Sequence, residues 1–233
     1  MPRAFLPAAL AFAVLMLPMP LPAAETPPAL TEAAMNGGLL SAHPDLRWRS
    51  QAMGEYQAGR MVNAFAWFRR AARYADKPSQ AMVAEMYWEG RGVARDRALG
   101  YAWMDLAAER GWRPFLIKRE RYWAALDEAE RARALRLGEQ IYAEFGDAAA
   151  KPRKEAVLAR ERRRATGSRT GFVGALDVVV PGPGGVPLRI RGEDYYAEAL
   201  WVPEKYWAWQ DRLWREAMPG QVTVGEVEAR PGD

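Results

Sequence analysis

Apolar side chains return at helical spacing through the middle of this chain. Residues 79–88, 97–110 and 114–126 carry them every three or four positions, and residues 135–145 repeat the pattern. Because an α-helix has 3.6 residues per turn, this spacing predicts amphipathic helices that each bury one face. Helical hairpins of this size cannot bury their apolar faces alone, so the pattern predicts stacked pairs that share one core.

The boundaries between these helices carry their own signals. Gly90 and Gly92 separate the first two predicted helices, and a backbone with positive φ is inexpensive only for glycine. Asp96 is expected to cap the next helix, which ends at Gly111. A glycine-rich loop before a helix can also bind phosphate, but such loops follow a β-strand, whereas here a helix precedes the glycines. The stretch is therefore predicted to be a hairpin turn.

An internal repeat supports the hairpin interpretation. Residues 64–75 align with residues 100–111, so that Trp67 matches Trp103 at a separation of 36 residues. Residues 56–59 match residues 87–90 at a separation of only 31, so the second copy has five additional residues in its turn. Repeats of this length are typical of α-solenoids.

The repeat resembles the Sel-one-like repeat family, a subclass of the tetratricopeptide-type α-solenoids. The resemblance covers roughly Leu46 to Trp112 and departs at Gly100, where the family usually has alanine, and at Ala84, where it has glycine. It implies a mainly α fold, structural roles for the matching residues, a function in protein–protein interaction and no catalytic residues. The matching positions are Tyr56, Gly59, Trp67, Ala71 and Ala72 in the first copy, and Tyr87, Gly90, Gly92, Asp96, Trp103, Ala107, Ala108 and Gly111 in the second.

In such solenoids the first helix of each pair lines a groove. Helical phase alone then gives the exposed candidates for binding a partner. They are Gln51, Glu55, Gln80, Glu85 and Arg119.

The N-terminal segment differs from the rest of the chain. Residues 1–24 combine a basic residue, a short apolar run and a small-residue exit, which predicts a cleaved signal peptide and a periplasmic or secreted protein. Residues 25–44 are expected to form a flexible leader before the repeats of residues 45–147. The complete lack of cysteine agrees with export, since no thiol can form a wrong disulfide.

Residues 148–169 carry a dense run of arginine and lysine and predict a basic helical linker. A solvated linker is the favoured interpretation, and contact with an anionic surface such as lipid headgroups is the alternative.

The last part, residues 170–233, is predicted to be a small α+β unit. Valine-rich runs at 177–180 and 186–190 flank a proline–glycine turn and predict a β-hairpin, with 222–229 as a candidate third strand. A helix is predicted over 203–217. The dense aromatics are expected to attach this unit to the solenoid, and the alternative is a glycan- or peptidoglycan-binding platform made of Trp201, Trp207, Trp209 and Trp214.

Composition narrows the function further. One histidine and no cysteine argue against standard zinc sites, and the sequence has no Gly-x-Ser-x-Gly elbow or phosphate-loop motif, so no metal, cofactor or catalytic residue is predicted. The net charge of +4 is too small to indicate nucleic-acid binding. The sequence therefore predicts an exported adaptor or regulator that binds a protein partner in the bacterial cell envelope.

Overall fold

A computed structural model describes residues 39–166, 177–181, 187–191 and 195–216. The described part is mainly helical. Its helices are α1 (Leu39–Ala42), α2 (Pro44–Gln57), α3 (Met61–Ala72), α4 (Lys77–Glu89), α5 (Arg97–Ala107, continued by a 3₁₀ turn over Ala108–Arg110), α6 (Arg113–Ala125), α7 (Glu128–Phe145), α8 (Asp147–Thr166), α9 (Glu198–Trp201) and α10 (Pro203–Glu216).

The central helices form a short α-solenoid. Helices α2 and α3 make the first hairpin, α4 and α5 make the second, and α3 packs on α4 to join them. Alanines are buried where helices cross, including Ala64, Ala72 and Ala107, because a small side chain allows close approach. Phe68 and Trp103 fill the shared core.

The glycine turn between α4 and α5 contacts the preceding hairpin. Gly90 and Gly92 have φ values of 75° and 71°, as the sequence predicts. A Cβ atom on Gly92 would lie 2.3 Å from the carbonyl oxygen of Met61, at the start of α3. The longer turn of the second repeat therefore packs directly against the backbone of the first.

Side chains cap the starts of α5 and α7, and the cap at Asp96 is predicted from the sequence. The carboxylate of Asp96 accepts a hydrogen bond of 3.0 Å from the backbone N–H of Leu99. Asp127 and Glu130 form a complete capping box at the start of α7.

The solenoid continues through α6 and α7, which both pack on α5. The rings of Trp88 and Tyr122 stack at 3.8 Å and join α4 to α6, while Trp103 contacts Phe145 at the end of α7. Helix α8 follows α7 directly and returns to α1. The strands β1 (Asp177–Pro181) and β2 (Pro187–Arg191) pair antiparallel, with Val179 opposite Arg189.

Two segment predictions need correction. The leader of residues 25–44 is not flexible at its end, because Leu39, Ala42 and His43 are fully buried; residues 25–38 lie outside the described part. The linker of residues 148–169 is helical to Thr166, but it is not solvated throughout, since Lys154 and Leu158 are fully buried. The predicted signal peptide and the strand at 222–229 also lie outside the described residues.

Of the residues described, no helix is both long enough and apolar enough to cross a membrane.

Candidate functional site

Four of the five predicted groove residues lie at least partly at the surface. Gln51 is exposed, and Glu55 bonds Arg60 and Asn63 beside it. Glu85 pairs with Lys118 across α4 and α6. Arg119 bonds Glu120 and lies 3.6 Å from Asp105. Apart from Gln51, these side chains are engaged within the chain, and their role in binding a partner stays a prediction.

Gln80 was predicted to be exposed, and this is wrong. Its side chain is 0% exposed because its amide nitrogen donates to two carbonyl oxygens at helix ends, those of Ala72 at 3.2 Å and Phe145 at 3.0 Å. The amide oxygen accepts from the Lys77 ammonium at 3.0 Å. Carbonyls at the ends of buried helices need such donors, so Gln80 has a structural role at the junction of α3, α4 and α7.

The C-terminal aromatics follow the favoured interpretation, in which they attach this part to the solenoid, and not the alternative of an exposed platform. Trp201 and Trp209 are only 4% and 5% exposed. Trp207 donates to Glu155 on α8 and lies beside Arg110, and Trp214 stacks on Trp112 at 5.6 Å. These rings pack on the solenoid and leave no exposed row for a sugar, because a short C-terminal segment needs bulky side chains to bury enough area.

A buried polar cluster fixes α10 to the start of the solenoid. The Lys154 ammonium donates to Asp45 at 2.6 Å, to Nδ1 of His43 at 2.8 Å and to the carbonyl oxygen of Ala42 at 3.2 Å. The other carboxylate oxygen of Asp45 accepts a hydrogen bond from the Tyr206 hydroxyl. The cluster therefore joins the start of α2 to α8 and α10.

Burial dominates the electrostatics of this cluster. Burial lowers the pKa of Lys154 to about 8, although Asp45 opposes the shift. Burial, helped by the charge of Lys154, lowers the pKa of His43 well below its usual value, so this histidine is neutral at pH 7. With every member under 5% exposed, the cluster has no access to a substrate and holds the fold together.

An exposed cluster of arginine and tryptophan lies on the first hairpin. The rings of Trp48 on α2 and Trp67 on α3 stack at 5.0 Å with an interplanar angle of 13°. The guanidinium of Arg47 lies 4.4 Å from the centre of the Trp48 ring, and that of Arg70 lies 4.3 Å from the centre of the Trp67 ring. We name these four residues the arginine–tryptophan face.

The face is open to solvent and carries two positive charges. Both tryptophans are partly exposed and both arginines are exposed, with exposed Gln51 one turn from Arg47. Val62 is 69% exposed and, with Ala66, continues the surface along α3. Within the described residues, neither Arg47 nor Arg70 has a carboxylate partner.

This face is not predicted from the sequence. The repeat pattern predicts only a structural role for Trp67 and no role for Trp48, Arg47 or Arg70. A signal was present, since Trp48, Gln51 and Glu55 are spaced by three and four residues and share one side of α2. However, this spacing within α2 does not reveal that Trp67 of α3 lies against Trp48.

No protein-family model matches the sequence, and no curated protein is significantly similar to it. Among solved structures, the chain is similar to c5321, described as a protective antigen present in uropathogenic Escherichia coli strains and displaying an SLR fold. The identity is 20%, the TM-score is 0.42, and the match covers 54% of this chain and 26% of that one. The chain thus spans about a quarter of the length of that protein, and the fold described above stands on this chain's own helix packing.

Proposed function

We propose that this is an exported, non-enzymatic repeat protein that binds a protein partner in the bacterial cell envelope, as an adaptor or regulator. The partner docks on the arginine–tryptophan face at the first hairpin of the solenoid. The observation that carries this proposal is the stacked pair of Trp48 and Trp67, which is partly exposed and carries over each ring an arginine that pairs with no carboxylate in the described residues.

The composition of the face supports protein binding. Tryptophan and arginine are the residue types most enriched among those that dominate interface energetics. Rigid rings supply contact area at little cost in side-chain entropy, and the neighbouring apolar surface at Val62 and Ala66 adds to this contact area. The groove side chains offer less, because Glu55, Glu85 and Arg119 already bond within the chain.

Export and the absence of catalysis are parts of the same proposal. The signal-peptide pattern of residues 1–24 and the lack of cysteine support export. The buried polar cluster supports a non-enzymatic role, because the one place where histidine, aspartate, lysine and tyrosine meet is closed to solvent. N-terminal sequencing of protein from the periplasmic fraction is expected to start near Glu25, and an intact Met1 would contradict export.

The proposal is tested by photo-crosslinking in the envelope of the producing cell. A photoreactive residue at Ala66, beside the face, is expected to give one discrete adduct with another envelope protein. The same residue at Glu139, an exposed position on α7, is the control and is expected to give none.

A variant within the face tests whether the adduct depends on that face. Trp48→Ala removes half of the stacked pair and is expected to reduce the adduct formed from position 66 by about tenfold, a typical loss for a residue of this kind. Circular dichroism checks that the variant is folded. Equal adducts from both positions, or an undiminished adduct in a folded Trp48→Ala protein, would refute the assignment.

A further inference from the structure

We infer that the arginine–tryptophan face binds an acidic segment of its partner, one that presents carboxylates to Arg47 and Arg70. This inference rests on the proposed function and names the chemistry of the partner. It starts from the two guanidinium groups, which are held in place on aromatic rings and have no carboxylate partner in the described part of the chain.

The two guanidinium groups both lie beside the ring of Trp48. Arg70 lies 5.8 Å from the centre of the Trp48 ring, and Arg47 lies 4.4 Å from the same point, so their separation cannot exceed the sum of these distances. An arginine that stacks on an aromatic ring keeps its N–H edge available for a bidentate bond to a carboxylate. Two such groups form a pair of neighbouring sites that can each bind a carboxylate. The tryptophan rings already hold the two arginine side chains in place.

Elsewhere in the solenoid, arginines are used to hold the fold. Arg49 pairs with Asp76, Arg110 with Asp147 and Arg133 with Asp96. Arg47 and Arg70 differ, since each lies over an aromatic ring and pairs with no acid in the described residues. The N–H groups of both guanidinium groups are therefore available to an acidic ligand.

Two other ligand classes fit less well. A sugar needs a free ring face, but the rings of Trp48 and Trp67 cover each other and the guanidinium groups lie over them. An anionic membrane needs many dispersed cations, and exposed arginines of that kind lie on α8, at Arg160, Arg163 and Arg164. Arg47 and Arg70 are a pair of ordered cations beside the apolar side chains of Val62 and Ala66. This combination matches a peptide that carries both carboxylates and apolar side chains.

The test uses a fluorescein-labelled peptide in which glutamates alternate with alanine and leucine, and a matched peptide with glutamine in place of glutamate. Fluorescence anisotropy with the purified protein is expected to show binding of the glutamate peptide alone. Arg47→Gln/Arg70→Gln is expected to weaken that binding by at least about tenfold, the usual loss when charge-assisted hydrogen bonds are removed.

Two further variants separate specific binding from bulk charge. Arg121→Gln/Arg136→Gln removes the same charge from exposed positions on α6 and α7 that lie on no aromatic ring, and it is expected to change the affinity less than about twofold. Arg47→Lys/Arg70→Lys keeps the charge but loses the bidentate geometry, so an intermediate loss is expected.

Equal weakening by both glutamine pairs would overturn the inference, as would equal affinity for the two peptides. Binding to phosphatidylglycerol vesicles that is lost in Arg47→Gln/Arg70→Gln, without peptide binding, would assign the face to lipid. If the crosslink from Ala66 depends on Trp48 while the acidic peptide does not bind, the partner chemistry is wrong and the protein-binding function stands. If the crosslink from Ala66 does not depend on Trp48 and the acidic peptide does not bind, both proposals are contradicted.

Discussion

The turn between α4 and α5 is expected to be the point of the solenoid most sensitive to the addition of one methyl group. Gly92 has a φ of 71°, and a Cβ atom there would lie 2.3 Å from the oxygen and 2.4 Å from the carbon of the Met61 carbonyl. Gly59, in the shorter turn of the first repeat, has a φ of 75°, but a Cβ atom there would meet nothing within 4 Å. The two positions share the backbone conformation and differ in steric contact.

The magnitudes follow from this difference. Gly59→Ala adds only the cost of a left-handed conformation for an L-residue, about 1–2 kcal/mol. Gly92→Ala adds the same cost together with the displacement of α3 backbone, for which overpacking gives about 1–3 kcal/mol more. We therefore expect a loss of unfolding free energy of about 2–5 kcal/mol for Gly92→Ala.

Urea denaturation followed by far-ultraviolet circular dichroism measures both values. Two other positions complete the series: Gly111 has a φ of 70° and no atom within 4 Å of a Cβ, while at Gly90 the nearest atom, Cβ of Arg95, would lie 3.1 Å away. The expected order of destabilisation is Gly59 and Gly111 least, then Gly90, then Gly92. If Gly59→Ala costs as much as Gly92→Ala, the turn does not pack on α3 as described.

Three other predictions concern the C-terminal attachment. Because His43 is held neutral, its contribution to stability is present above its unfolded pKa of about 6.5 and is lost as the pH falls. We expect about 2 kcal/mol less unfolding free energy at about pH 5. His43→Gln should flatten this pH dependence in urea titrations. Lys154→Met leaves the Asp45 carboxylate buried without its cation and should cost about 3–5 kcal/mol by the same method, whereas an unchanged midpoint would refute the ion pair. Trp214→Ala removes the ring stacked on Trp112, and faster proteolysis within residues 203–216, with the solenoid intact, is the expected result.

The parts of the fold that depend on local chemistry were predictable. The cap at Asp96, the capping box at Asp127 and the turn at Gly90 and Gly92 each depend on residues within one helical turn or one short loop. For these features the sequence neighbours are also the structural neighbours, so residue type and spacing are sufficient.

The failures share the opposite cause. Gln80 has the helical phase of a groove residue, but its amide bonds the Phe145 carbonyl, 65 residues away. Lys154 lies in a run of exposed cations, but its ammonium meets Asp45, which precedes it by 109 residues. Such contacts are set by how α7, α8 and α10 return to the solenoid, and helical periodicity carries no information about that return.

The candidate face illustrates the same limit at the level of function. Trp67 occupies a repeat position, and its counterpart Trp103 is 2% exposed in the core. Trp67 is partly exposed because it belongs to the first hairpin and lies against Trp48 of the same hairpin. Position along the array, and not residue type, decides whether a repeat tryptophan is fully packed in the core or partly exposed.

Two positions at which the repeat departs from the pattern it resembles lie close together in the structure. Gly100 on α5, where the family usually has alanine, would place a Cβ atom 3.1 Å from the carbonyl oxygen of Ala84 and 3.1 Å from Cβ of Trp88 on α4. Ala84 itself stands where the family has glycine. The carbonyl oxygen at position 84 is present whichever residue stands there, so the close crossing of α4 and α5 requires glycine at position 100 independently of the side chain at position 84.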